Sequence, residues 1–329
     1  MQSTFLYAPL IGGMYKKGGP GFNLTKPQTL AGTTFQPKYY EVNVTEYLED
    51  IEVENKGPEA VFSLIDTDLR NAMHTMTEIV ALAMQRHGQA VVTGVNAPSR
   101  DGHINGWVEA LNDGITPGWD GNYFTTYGGA TRNAVIGAAL NSEPYFAGNP
   151  DGSTGPITFK VLEETYQSIS IGRKEPDLGV GNKHVISLIK ERLQPQQRFA
   201  QEKDPMFGLH GFRFNNAMIL KDDLFPSTRY GQSRTTGSFL PANFTSPATT
   251  GTNSNMPTAT TIVPGELFCW FNTGCWAVRI SDSQRFGFGF TGFKPQIDGT
   301  RVAGQILAAL NLQCFEPRVA GKQIFGIGA

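Results

Sequence analysis

Between Pro58 and His87 apolar residues recur at three- and four-residue steps: Val61, Leu64, Ile65, Leu69, Ala72, Met73, Met76, Ile79, Val80 and Ala83. The opposite side carries Asp68, Arg70, Asn71, His74, Thr75, Glu78 and Gln85. This spacing predicts one long amphipathic helix, from which Leu82 stands out as an apolar residue off the stripe. Pro58 at the first helical position forfeits no hydrogen bond, and Glu59 suits the positive end of a helix dipole. His87-Gly88 supplies a cation-capable last residue followed by a left-handed cap. Such a helix would run about 45 Å at 1.5 Å per residue, well beyond the usual length. A rod of that reach needs a broad layer to lie on.

Elsewhere the pattern is broken into shorter pieces. Residues 1–56 are punctuated by Gly12-Gly13, Gly18-Gly19-Pro20-Gly21 and Lys26-Pro27, which resist helix. Yet Phe5, Leu6, Tyr7, Phe22, Phe35, Tyr39 and Tyr40 are the residues a disordered tail lacks. A segment with aromatic anchors and no core of its own is expected to pack on something else, a neighbouring copy included. Tyr39–Tyr47 alternates and reads as a strand. Thr131–Leu140 reads as a short helix. Phe159–Ile171 reads as a helix capped by Thr158, with Leu162, Tyr166 and Ile169 on one face, and Lys183–Leu193 as another capped by Asn182. Pro176–Val180 reads as a turn and short strand, and Gly211–Leu220 alternates at its start. Ser227–Pro264 is a long loop rich in Ser, Thr, Gly, Asn and Pro. Strands then follow at Leu267–Phe271, Cys275–Ile280, Phe286–Phe290 and Val302–Phe315. A long helix, a mixed block and a run of strands predict an α+β fold rather than a regular α/β alternation.

Composition narrows the function classes. The 329 residues carry a net charge of -2, and charged residues make up 17%, against about 25% in typical soluble domains. Strong nucleic-acid binding needs many cations to neutralise phosphates, and no basic run exceeds Lys16-Lys17 or Arg173-Lys174. No apolar stretch approaches the roughly 20 residues of a membrane span, and the first residues lack a secretory pattern. Three cysteines, Cys269, Cys275 and Cys314, are expected as buried thiols rather than a disulfide framework.

Candidate chemistry is sparse. Gly287 to Gly292 matches G-x-G-x-x-G, but Lys294-Pro295 follows where a helix should begin, and the alternating Phe residues read as strand. The five histidines fall into no metal spacing. Asp66 and Asp68 are two apart on a helix and do not face each other, and Asp222-Asp223 reads as a turn. With no nucleophile elbow or P-loop, the chain is expected to be no enzyme, with no catalytic, cofactor or metal site.

Several motifs, in order, resemble the major capsid proteins of tailed bacteriophages with the HK97-type fold. Glu54-Asn55-Lys56-Gly57-Pro58-Glu59-Ala60 precedes the long helix where that family has its spine helix. Ile104-Asn105-Gly106-Trp107-Val108-Glu109-Ala110, Tyr127-Gly128-Gly129 with Arg132, Pro176-Asp177 with Asn182, and Gln197-Arg198-Phe199 are similar to one subgroup. So is the run from Phe290-Thr291-Gly292-Phe293-Lys294 through Asn311-Leu312 to Pro317-Arg318 and Gly326-Ile327. The resemblance implies an N-terminal arm at 1–14, an extended loop at 15–56 and a peripheral domain built from 57–92 and 266–312. It implies an axial domain at 93–265, with an inserted loop at about 227–264, completed by 313–329. With the chain starting at the arm, a scaffolding segment is expected to be absent or separate. The implied function is a structural virion protein that assembles with itself, as hexamers and pentamers, into an icosahedral head around double-stranded DNA. Assembly is expected in the host bacterial cytoplasm, with scaffolding, portal and decoration proteins as partners. DNA would be held by weak non-specific contact, and no membrane is involved. Phe5, Tyr7, Phe22, Phe35, Tyr39 and Tyr40 are the candidate contacts between subunits. Some relatives cross-link a Lys to an Asn; Lys16 and Lys17 suit the first role, but nothing matches the second. Two alternatives stand beside this reading: an encapsulin-like compartment shell, and a β-rich binding protein or hydrolase with a dispersed site.

Overall fold

A computed structural model of the chain describes residues 2–6, 30–47, 49, 64–85, 87–88, 103–116, 118, 124–132, 147–148, 150–151, 155–193, 201–203, 210–225, 266–295 and 299–327. The expected loop at 227–264, most of the expected helix at 131–140 and the first turns of the long helix lie outside these residues. In the first half of the chain come β1 (Gln2–Leu6), β2 (Leu30–Thr34), β3 (Lys38–Tyr47), α1 (Leu64–Met84), α2 (Trp107–Ala110), β4 (Thr126–Tyr127) and β5 (Ala130–Thr131). The middle holds α3 (Phe159–Ile169), β6 (Leu178–Gly181), α4 (Lys183–Leu193), β7 (Gln201–Lys203), β8 (His210–Phe214) and β9 (Ala217–Lys221). The last part adds β10 (Glu266–Phe271), β11 (Trp276–Ile280), β12 (Gly287–Phe290), β13 (Lys294–Pro295), β14 (Arg301–Cys314), α5 (Pro317–Ala320) and β15 (Gly321–Ile327).

The broad layer under α1 is a five-stranded antiparallel sheet. Its spine is the 14-residue β14, with β3 along one side and β11, β12 and β13 in succession along the other. In β3, Tyr40 and Val44 turn inward while Tyr39, Glu41, Asn43, Thr45 and Tyr47 face out. Ala72, Met76, Ile79, Val80 and Ala83 of α1 pack on Tyr40, Val44, Ile306, Ala308, Leu310 and Leu312. The helix is thus amphipathic because it covers one face of this sheet. Leu82, off the stripe, joins a different core with Trp107, Leu111 and Phe325, so the end of α1 is buried on two sides. Gly287–Phe290 is a strand of this sheet, with a register shift between Gly287 and Gly289, and opens no phosphate-binding helix.

The second layer is a six-stranded sheet in the order β15-β10-β6-β9-β8-β7, in which only the β6–β9 pair is parallel. α3 and α4 cover one face, where Leu162, Tyr166, Ile169, Val185, Ile186 and Ile189 meet Phe268 and Trp270. Leu267 and Cys269, on the other face of β10, enter the core around Trp107. Burial on both faces explains the unbroken apolar run of β10. Gly179 in β6 makes room for it: a Cβ there would come within 2.8 Å of the Trp270 ring. Both caps form as the spacing predicts, since Thr158 Oγ1 accepts from Val161 N at 3.3 Å and Asn182 Oδ1 from Val185 N at 2.9 Å.

Four expectations change. Glu266–Phe271 pairs with β6 and β15 in the six-stranded sheet, so the block expected at 266–312 is divided after Phe271. Lys38–Tyr47, placed in the extended loop, is instead a strand of the sheet beneath α1. Gly211–Leu220 is a hairpin, turned by Asn215 at φ +50°, a conformation Asn tolerates. Ala130–Thr131 is a strand rather than the start of a helix.

Candidate assembly surface

The two layers meet at a buried polar junction. Gly88, just past α1, donates its N–H to Glu109 Oε2 at 2.9 Å, and Asn105 Nδ2 donates to both carboxylate oxygens at 3.0 and 3.2 Å. Asn311 of β14 accepts from Asn105 N at 3.0 Å and donates to Gln36 O at 2.7 Å, tying the five-stranded sheet to both segments. Arg132 reaches three backbone carbonyls: Nη1 donates to Ala110 at 3.1 Å and Asn112 at 2.7 Å, and Nη2 to Glu109 at 2.6 Å. Burial pulls the Arg132 guanidinium below its ordinary pKa, while Glu109 works in the opposite direction. Burial likewise raises the Tyr127 phenol well above its ordinary pKa; its oxygen accepts from Cys314 N at 3.0 Å. The junction is a brace: its bonded donors and acceptors face each other, and Arg132 Nε is buried with no acceptor among the described residues. Among the described residues, no three His, Cys, Asp or Glu converge as metal ligands, and no helix is long and apolar enough to cross a membrane. Cys269, Cys275 and Cys314 are free and buried.

What the braced frame presents outward is the face of the five-stranded sheet opposite α1. Directly paired residues of an antiparallel ladder share a face, so Tyr39, Glu41, Asn43, Thr45 and Tyr47 lie beside Ala309, Leu307, Gln305, Ala303 and Arg301. Lys294 joins the same face through its partner Ala303. Tyr39 is 65% exposed and Tyr47 46%. Neither ring is loose: Tyr39 meets Phe286 edge-on at 5.8 Å, and the Arg301 guanidinium sits 5.0 Å from the Tyr47 ring centre. On the other face, beside Leu312 and Leu310, Val278 and Ile280 of the edge strand β11 are also exposed. Two aromatic rings and an arginine held in place on an exposed face are residue types that carry protein–protein contacts.

The six aromatic residues expected to touch neighbouring copies are not alike. Tyr39 lies on the exposed face. Phe35 and Tyr40 do not: both are buried in their own chain, 2% and 4% exposed. The Phe35 ring meets Tyr127 edge-on at 5.0 Å, and the Tyr40 hydroxyl accepts from Ile104 N at 3.0 Å. These two rings are core: Phe35 packs in the cluster around Trp107 and Leu111, and Tyr40, in β3, packs in the cluster under α1. Phe5 stands in β1, opposite Ala31 of β2. Tyr7 and Phe22 lie outside the described residues. His87, read as a surface cation at the helix end, is buried with its ring 5.1 Å from Phe124. Tyr47 and Arg301 were missed. The odd-numbered register of β3 carries a signal for Tyr47, whereas Arg301 becomes its neighbour only through a pairing 254 residues away, from 47 to 301.

No family model matches the chain, and no curated protein matches it in sequence. Among solved structures, the capsid asymmetric unit of cyanophage A-1(L) aligns over 100% of this chain and 88% of its own, with TM-score 0.61 at 10% identity. The capsid of an empty GTA particle covers 99% of this chain and 85% of its own, with TM-score 0.56 at 8% identity. The holo-SrpI encapsulin complex from Synechococcus elongatus PCC 7942 covers 92% and 77%, with TM-score 0.52 at 9% identity. These likenesses show the fold: the chain has the HK97-type capsid fold.

Proposed function

We propose that the chain is the shell-forming subunit of a bacteriophage head, assembling with itself as hexamers and pentamers around double-stranded DNA. The observation that carries this reading is the likeness to the cyanophage capsid, which takes in the whole chain and most of its counterpart. The exposed Tyr39–Tyr47–Arg301 face supports it, as a surface suited to a second copy. A closed shell needs many modest contacts per subunit, since closure multiplies weak affinities. A net charge of -2 limits repulsion between packed copies. In this reading α1 with the five-stranded sheet forms the peripheral part, the six-stranded sheet with α3 and α4 forms the axial part, and residues 1–34 form the arm and extended loop. The protein would be a virion component built in the host cytoplasm, with scaffolding, portal and decoration proteins as partners and no catalytic role. Negative-stain microscopy of the purified full chain tests it: closed particles tens of nanometres across are expected. A chain that stays monomeric at high concentration, even with a scaffolding partner supplied, overturns it. The encapsulin likeness favours a second reading, a compartment shell. Protein cargo in place of DNA inside native particles would select that one.

A further inference from the structure

Where α1 ends, a buried amide faces a carboxyl from the other layer. Gln85 is one residue past α1 and Asp222 one past β9, 137 positions apart in sequence, and Gln85 Nε2 donates to Asp222 Oδ2 at 3.2 Å. Asp222 is itself fixed: Oδ1 accepts from Leu224 N at 2.9 Å, and its own N–H donates to Gly181 O at 3.1 Å. The other half of the amide is unmet. Gln85 Oε1 is buried, and among the described residues no donor reaches it. An ionised carboxylate offers only acceptors and cannot supply one.

We propose that Gln85 and Asp222 form a proton-dependent latch that fastens the end of α1 to the six-stranded sheet. A proton taken from solvent onto one carboxyl oxygen turns Asp222 into a donor. The acid O–H then donates to Gln85 Oε1 while the other oxygen keeps the Nε2–H bond. One hydrogen bond becomes a cyclic pair, and the orphaned acceptor is satisfied. The surroundings hold the proton on: burial chiefly raises the Asp222 pKa, the Leu224 N–H opposes this, and the neighbouring Asp223 adds to it. The nearby cations are committed to Asp223, with Lys183 Nζ at 3.3 Å and Lys221 Nζ at 3.2 Å from its Oδ1. From α1 the facing group is the neutral Gln85, and His87 turns its ring onto Phe124. With the folded pKa above the unfolded one, the latch's stabilisation is full at low pH. It is lost as pH rises through the folded value, which is raised from the ordinary one.

The test is hydrogen–deuterium exchange on the full, unassembled chain at about pH 7 and about pH 4, the latter close to the ordinary aspartate value, corrected for the intrinsic pH dependence of exchange. Protection of the α1 end, residues 79–88, is expected to rise about 3- to 10-fold on acidification, the worth of one added hydrogen bond, while α3 does not follow. In Asp222→Asn nothing titrates at this position, so the pH difference should be lost. Wild-type protection that is flat or falls on acidification overturns the latch, as does an Asp222→Asn chain that keeps the wild-type pH dependence. Should that variant not fold, the wild-type comparison still decides. The latch lies within one chain, so its failure would leave the shell reading untouched.

Discussion

The side chains that matter most to this fold are polar ones placed where an apolar residue would be expected. Glu109, Asn105, Asn112, Arg132 and Asn311 are all buried, and each spends its hydrogen bonds on backbone or on another member of the group. Removing one strands the rest. Arg132→Ala takes a charged donor from three carbonyls, of which those of Glu109 and Asn112 keep a backbone N–H, and leaves the Glu109 charge without its counterweight, so a loss of about 3–5 kcal/mol is expected in a denaturant titration of the unassembled chain. A loss below about 1 kcal/mol would mean water replaces the guanidinium freely. Gly88→Ala tests the same junction sterically. A Cβ at Gly88 would lie 2.3 Å from His103 O and 2.4 Å from Ile104 O, both backbone atoms. Because backbone cannot step aside cheaply, about 1–3 kcal/mol or more should be lost, read by the same titration. Of this junction the sequence shows almost nothing. Asn105, Glu109 and Arg132 are recognisable as parts of motifs, but a buried Asn311 in the apolar β14 looks no different from a surface Asn until its partners are known.

At the scale of elements, legibility follows how local the determining forces are. α3 and α4 are readable because a cap and a one-sided stripe lie within a dozen residues of each other. Thr158→Ala should cost about 1 kcal/mol or less by chemical denaturation, and Asn182→Ala about 2–3 kcal/mol, since it removes a shorter cap bond and also the Nδ2 donor to the buried Glu266 carboxylate. β15 was not readable as a strand. Every residue from Gly321 to Ile327 is buried, so neither face alternates. Its polar residues reach distant partners: Lys322 Nζ donates to Ser168 Oγ at 3.2 Å, and Gln323 Nε2 to Val108 O at 2.9 Å. Its free edge is met by Asp151, which bonds Gln323 O and Phe325 N, both at 2.9 Å. Long-range pairing likewise hid the role of β3. Its alternation announces a strand, but only β14 reveals that Tyr40 points inward and Tyr39 outward.

For the molecule as a whole, the layer built on α1 has one covered face and one open face, and the proposed function depends on the open one. A surface aromatic on a monomer contributes little to that monomer's stability. Tyr39→Ser should therefore leave the denaturation midpoint of the unassembled chain within about 0.5 kcal/mol of wild type. If the face meets a second copy, the same change should raise the protein concentration needed for assembly by about 10-fold, seen in light scattering. The most direct measurement is a cryo-EM reconstruction of the particles formed by the full chain. The account predicts a closed shell of pentamers and hexamers in which a neighbouring copy covers Tyr39, Tyr47 and Arg301. A chain that forms no particle under any assembly condition, or a shell in which that face stays bare to solvent, would contradict it.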